Sequence, residues 1–282
     1  MPLTADVLKI DAEDVKRRIT WFIRDYVEKS GAEGVVIGLS GGLDSSTAAA
    51  LSALALGGGR VLGLIMPESE TYNPRDIEHA HLVAERFGIP VKEIDLTPIL
   101  EAFWNALPIY DPEDRVSNGN VKARVRMVCL YYHANRMNRL VCGTSDKSEV
   151  MVGYFTKWGD GASDIAPLID LYKTQVRQLA RHIGVPAEIV EKPSAPNLWP
   201  GQLAEDELGI SYETLDLILY GLEHFMTPRE VAREANVPLE LVEKVLRRWR
   251  ASEHKRRPPL GVKLEYRTTG MDFRLPHLLP QQ

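Results

Sequence analysis

The 282 residues are 44% hydrophobic, enough for one large α/β domain with a helical extension, and the formal charge of −5 argues against a general polyanion-binding surface. The first residues are acidic (Asp6, Asp11, Glu13, Asp14), no basic stretch leads into an apolar core, and no apolar run approaches a membrane span. Cys129 and Cys142 have no metal-ligand spacing, so a cytoplasmic protein with buried free thiols is expected, with neither nucleic acid nor membrane as partner.

Val15, Ile19, Phe22, Tyr26 and Val27 recur at helical spacing, and Gly31 closes that first helix. Residues 34–38 form a β-branched strand, followed by a glycine-serine turn and an alanine-rich helix over 47–56. A second strand is predicted over 61–66. Asn73 caps a helix with Pro74 at its first position, running to Phe87 and ending at Gly88. A third strand over 91–96, a short helix over 98–107 and a polar surface loop over 108–119 follow. A long helix over 122–138 leads to a fourth strand over 139–143. This order predicts a doubly wound, mostly parallel sheet flanked by helices, with ligands at the carboxyl ends of the strands. Residues 211–257 read as a helical C-terminal portion of the same single domain, 1–282. Within it Thr227, Pro228 and the Asn236-Val237-Pro238 turn mark a helical hairpin with a basic end.

The turn after the first strand reads Ser40-Gly41-Gly42-Leu43-Asp44-Ser45. Glycines let backbone N–H groups approach an anion, the helix N-terminus adds partial positive charge, and Ser40, Ser45 and Ser46 offer hydroxyls. Asp44 offers a carboxylate to a divalent cation. The spacing fits neither a Walker A loop nor a dinucleotide fingerprint. It resembles the pyrophosphate loop of the N-type ATP pyrophosphatases. Gly143-Thr144 marks another strand end, from which Glu149 can return to join Asp44 in an oxygen-rich magnesium site. Lys157, Asp160 and Asp164 lie in a glycine-broken loop. Arg124 and Arg126 point different ways on the long helix, so one can face a ligand. Lys173 stands at a helix start against the dipole, which an anionic ligand would explain. Taken alone, each of these later clusters also fits a solvated surface.

Together the segments resemble the ammonia-dependent NAD synthetases, from about Ile19 to Lys255. The resemblance joins residues 38–45 to Gly119-Asn120, Ala123-Arg124 and Arg126-Met127. It continues through Gly143-Thr144, Ser148-Glu149, Gly153 to Lys157, Gly159-Asp160-Gly161 and Lys173-Thr174-Gln175-Val176. It ends with Pro193-Ser194-Ala195, Leu198 to Gln202, Asp206 to Gly209 and His254-Lys255. Pro196 departs from it, since members often carry an acidic residue after Ser-Ala. The resemblance implies an adenine nucleotide alpha hydrolase-like fold, and ATP phosphates cradled by Gly38, Leu39, Ser40, Gly41, Gly42, Leu43, Asp44 and Ser45. It also implies ATP contacts from Thr144, Lys173 and Ser194, and Mg2+ on Asp44 and Glu149. Arg124, Lys157, Asp164, His254 and Lys255 would hold the deamido dinucleotide, partly at a homodimer interface.

The implied reaction is amidation of nicotinic acid adenine dinucleotide by ammonia, with ATP split to AMP and pyrophosphate through an acyl adenylate. Phosphate oxygens gain negative charge in both steps, which calls for N–H donors, Lys173 and magnesium. Ammonium must lose a proton before attack, and Asp160 is the expected acceptor. Residues 200–210, glycine-flanked and acidic, could close as a lid. About thirty residues precede the first strand, too few for a glutaminase, so free ammonia is the expected donor. Two rivals share parts of this pattern. Enzymes activating a tRNA base or xanthosine monophosphate share the opening loop, and the basic-ended hairpin resembles a DNA reader.

Overall fold

The computed structural model describes residues 2–269 and Asp272. Four short strands, β1 (Gly34–Gly38), β2 (Val61–Ile65), β3 (Val91–Glu93) and β4 (Arg139–Cys142), form one sheet in the order β3-β2-β1-β4. All three pairings are parallel, with Val36 facing Leu62 on one side and Val141 on the other. The helices are α1 (Ala12–Lys29), α2 (Leu43–Leu56), α3 (Pro74–Phe87), α4 (Thr97–Ala106), α5 (Arg115–Arg136) and α6 (Lys147–Val152). They continue as α7 (Lys173–Ile183), α8 (Ala187–Val190), α9 (Ala204–Leu208), α10 (Tyr212–Glu223), α11 (Pro228–Glu234), α12 (Leu239–Ala251) and α13 (Glu253–Arg256).

Alternation along β1 sorts the two layers. Val35 and Ile37 join a core made with α1, α2, α3 and α7, whereas Val36 joins a second core with Met127 and Leu130 of α5 and Leu100 of α4. Helices on both faces of a parallel sheet are the doubly wound arrangement expected. A third core, around Tyr212, Leu215, Val231 and Val242, packs the C-terminal helices against α6 and the start of the chain.

Most boundaries follow local chemistry. Asn73 caps α3 by accepting from the Arg75 N–H at 3.1 Å, and Gly88 ends it in the left-handed region. Two helices start earlier than expected. α2 begins at Leu43, so Asp44 and Ser45 belong to its first turn, where a carboxylate suits the dipole. α5 begins at Arg115, because Asp114 accepts from the Ser117 N–H at 3.0 Å and caps it inside the supposed surface loop. Gly119, which reads as a loop residue, is helical; a Cβ there would press on Leu198 and Trp199 at 3.1–3.2 Å. Cys142 is buried, and burial pushes its thiol up to about 12, but Cys129 is only half-buried, between the inner stripe and the outer face of α5.

The α11–α12 hairpin exists, and part of its basic end turns inward while Arg247, Arg250 and Arg257 stay exposed. Arg248 donates to the Val152 carbonyl at 3.2 Å, and Arg256 to those of Val150 and Met151 at 2.8 and 2.9 Å. These cations close the C-terminal end of α6 rather than presenting a groove-reading face. Among the described residues no helix is long and apolar enough to cross a membrane.

Candidate active site

The turn from β1 into α2 opens at the carboxyl edge of the sheet. Leu39 still donates to the Leu64 carbonyl at 2.9 Å, so the chain leaves the sheet only at Ser40. Gly41 sits at φ +73°, and a Cβ there would collide with the Asp76 carbonyl of α3, so glycine is required twice over. The Ser40 and Ser45 hydroxyls lie 2.9 Å apart, and the Gly42 N–H donates to Ser40 Oγ at 3.3 Å, which holds the turn's shape.

This loop walls a cavity of about 620 Å³. Gly38, Leu39, Ser40, Gly42, Leu43, Asp44 and Ser45 line it, while Gly41 packs against α3. Thr144, Glu149, Ser194, Asp160 and Lys255 face the same space from other elements. Lys173, Arg124, Lys157, Asp164 and His254 do not.

Lys173 explains itself. Its ammonium is fully buried and pairs with Asp44 Oδ2 at 2.6 Å, Glu149 Oε1 at 2.8 Å and Asp146 Oδ2 at 2.9 Å. Three of the protein's own carboxylates therefore stand around the ammonium at this helix start. Burial opposes the charge on Lys173, but Asp146, Asp44 and Glu149 outweigh it and hold the ammonium well above its usual range. Burial pushes the Asp146 carboxyl up, and that of Glu149 well up, despite the neighbouring lysine.

Asp44 and Glu149, the expected metal ligands, do converge, and Asp146 joins them, one oxygen from each within 4.8 Å of the others. Sequence reasoning missed Asp146. It caps α6, accepting from the Glu149 N–H at 2.8 Å, while the Glu149 side chain returns to the Asp146 N–H. That Asp-x-x-Glu capping box was the available signal. Three carboxyl groups crowd one ammonium, and Asp44 Oδ1 is buried without a hydrogen-bond partner. A hard divalent cation fits both features.

Of the two arginines on α5, Arg126 lines the cavity and Arg124 does not. Among the described residues Arg126 Nε reaches the Met66 carbonyl alone, at 3.4 Å, and burial lowers its pKa. Arg124 donates to the Lys157 carbonyl at 3.3 Å and lines a separate shallow groove with Tyr131, Tyr132 and Trp158. Lys157 stands beside that groove, over the Trp158 ring, and donates to the His254 carbonyl at 2.6 Å. Asp164 has a backbone task, accepting from the Val141 N–H of β4 at 2.7 Å. Lys255 ties the 153–155 turn by donating to the Gly153 and Phe155 carbonyls at 2.8 and 2.7 Å. Asp160 accepts from the Thr156 N–H at 2.9 Å; desolvation by the surrounding protein raises its carboxyl even though it opens to the cavity.

Beneath the trio, Asp216 of α10 is buried between the Ser148 hydroxyl, which donates at 2.5 Å, and the Thr174 N–H at 2.9 Å. Burial pushes its carboxyl up to about 7. Since the folded value is the raised one, protonation favours the folded state. That contribution is complete below the unfolded carboxylate range and disappears as pH rises through about 7. Replacing Asp216 by Asn removes the titration and keeps an oxygen to accept from the Thr174 N–H, while the amide NH2 can donate to the Ser148 hydroxyl in place of the bond it received. Urea melts between roughly pH 5 and pH 7 are expected to show wild-type stability falling by about 2–3 kcal/mol relative to the variant. Equal slopes would show that Asp216 does not titrate there.

A glycine-serine turn at a helix start, facing an acidic centre across a cavity at the carboxyl edge of a parallel sheet, defines an α/β enzyme that handles a nucleotide phosphate. A family model described as NAD synthase matches residues 15–259. The chain is 52% identical over 255 residues to the NH(3)-dependent NAD(+) synthetase of Hyperthermus butylicus, covering 90% of this chain and 92% of that one. It is 52% identical over 248 residues to the corresponding synthetase of Methanocaldococcus jannaschii, covering 88% and 95%. Among solved structures, the NMN synthetase from Francisella tularensis superposes with a TM-score of 0.80 at 33% identity, covering 91% of this chain and 100% of that one. The NH3-dependent NAD synthetase from Campylobacter jejuni, in complex with the nitrate ion, gives 0.76 at 30% identity, covering 90% and 100%. The chain belongs to the NAD synthase family.

Proposed function

We infer that this chain is a ligase that amidates nicotinic acid adenine dinucleotide with free ammonia and ATP, and that residues 1–282 work as one domain. One observation carries the reading beyond family membership: the glycine-serine loop and two of the three clustered carboxylates, Asp44 and Glu149, open onto the same cavity as Arg126 and Asp160. A nicotinate carboxylate repels nucleophiles and lacks a usable leaving group. Its oxygen attacks the α-phosphorus of ATP, forming the acyl–phosphate bond as pyrophosphate departs with the electron pair. Ammonia then adds at the acyl carbon, AMP leaves, and the nitrogen sheds a proton.

The residues divide this work. N–H groups of the loop, with Ser40 and Ser45, meet the phosphates, and Thr144 and Ser194 touch ATP from the facing wall. Asp44 and Glu149, supported by Asp146, would hold Mg2+, which when bound neutralises phosphate charge. Lys173 keeps those carboxylates together. Asp160, its carboxyl made more basic by burial and open to the cavity, suits a proton acceptor for ammonium. Arg126 offers a cation to the acid or to the α-phosphate. Lys255 stands at the cavity, while Arg124 lines the aromatic groove and Lys157, bonded to the His254 carbonyl, stands over its Trp158 ring, which suits the far adenylate half of the dinucleotide. Val128 and Tyr132, exposed apolar side chains of α5 that line this groove, support a homodimer across it. A cytoplasmic location suits the two free thiols.

The likeness to an NMN synthetase makes the mononucleotide acid the second substrate to test. Protein with ATP, magnesium and ammonium should convert the dinucleotide acid to NAD, with AMP and pyrophosphate in equal amounts. At fixed total ammonium the rate should climb with pH, because neutral ammonia is the nucleophile. Turnover of the mononucleotide acid alone, or equal turnover with glutamine as sole donor, would overturn the reading.

A further inference from the structure

Of the cations among the described residues that line the cavity, Arg126, Arg177, Arg248, Lys255 and Lys192, the last is the one hydrogen-bonded to the turn itself. Residues 38–46 contain no lysine or arginine, so the loop offers the phosphates only N–H groups and hydroxyls. Lys173 is sealed beneath three carboxylates. One ammonium does reach the turn. Lys192 lines the cavity and approaches the Gly41 carbonyl at 3.5 Å, while pairing with Asp76 of α3. Gly41 presses against that same residue's carbonyl, so Lys192 and Asp76 stand at the flank of the turn itself.

We propose that Lys192 is a phosphate lysine of this site, exchanging its Asp76 partner for the β- and γ-phosphate oxygens of ATP and then for the pyrophosphate formed. This rests on the ATP-dependent reading above. The exchange is physically reasonable because Asp76 and a polyphosphate compete for the same ammonium. The pair is also only partly shielded, with side chains 22% and 11% exposed. A second consequence follows from the chain path. Lys192 belongs to residues 191–203, a stretch without helix or strand that also supplies Ser194 to the cavity. The same stretch is tied to Asp76 through Asn197 Nδ2 at 2.9 Å and to Lys122 through the Leu198 carbonyl at 3.0 Å. Drawing Lys192 onto phosphate therefore pulls on a segment that frames the cavity, coupling its position to the leaving group.

The test is equilibrium binding of ATP, pyrophosphate and AMP, each with magnesium, to wild type, Lys192→Met and Asp76→Asn. Lys192→Met should weaken ATP and pyrophosphate by about ten- to a hundredfold while changing AMP less than about threefold, since a charged hydrogen bond to the outer phosphates is lost. Asp76→Asn frees the ammonium and should leave pyrophosphate affinity equal or tighter. If Lys192 is only a peg holding the 191–203 stretch, both variants weaken all three ligands alike, and the proposal fails. Lys192→Arg keeps the charge should the methionine variant not fold; it should retain pyrophosphate binding, and losing it together with AMP binding would again indicate a peg. A wild type that forms no AMP from ATP, the acid and ammonium sinks the functional reading. A wild type that does so, with normal pyrophosphate binding by Lys192→Met, sinks this inference alone.

Discussion

Lys173→Met should cost about 3–5 kcal/mol of folding stability and lower the melting temperature by on the order of 10 °C, although the residue lines no cavity. Removing the ammonium leaves Asp44, Asp146 and Glu149 facing one another, two of them already strained toward protonation by burial. Methionine fills similar volume, so the loss reports charge rather than packing. The double variant Asp146→Asn/Lys173→Met should recover part of it by removing one of the repelling charges, even though the α6 cap is weakened. A melting temperature within about 2 °C of wild type would show that the trio relaxes into solvent at little cost.

Asp44→Asn should behave in the opposite way, folded but inactive. Asp44 sits in the first turn of α2 at the cavity wall, and asparagine keeps its size and one carbonyl. What is lost is the charge that a cation on the trio would need. Pyrophosphate release is therefore expected to fall at least a hundredfold, about 3 kcal/mol in the barrier, with melting temperature little changed. Magnesium should raise the wild-type melting temperature more than that of the variant. Near-normal pyrophosphate release with magnesium would remove Asp44 from the metal role.

The fold was legible where the signal was local. Asn73, Pro74 and Gly88 bounded α3 to the residue, and the β-branched run into Ser40-Gly41-Gly42 located β1 and the loop. Cap chemistry inside a glycine-containing stretch was not, because Gly119 reads as a loop until its contact with Leu198 is known. At the site, residue types were legible but their partners were not. Lys173 and Asp44 are 129 residues apart, and no pattern in the chain says that their ion pair closes a buried centre. The choice between Arg124 and Arg126 was available in principle. Gly119, Ala123, Met127, Leu130 and Ala134 form the buried stripe of α5, and Arg126 lies on its margin, three residues after Ala123 and four before Leu130.

Asp146 has two attachments, one to the amide that starts α6 and one to the ammonium at the centre of the trio. Fraying of the first helical turn and rearrangement of the acidic centre are thus one local opening event. Anything that ties down the carboxylates should slow exchange of the Glu149 amide with solvent, and anything that loosens α6 should weaken what the centre holds, by the same free energy. Hydrogen exchange at a single backbone position therefore serves as a gauge of occupancy at a centre that has no chromophore of its own.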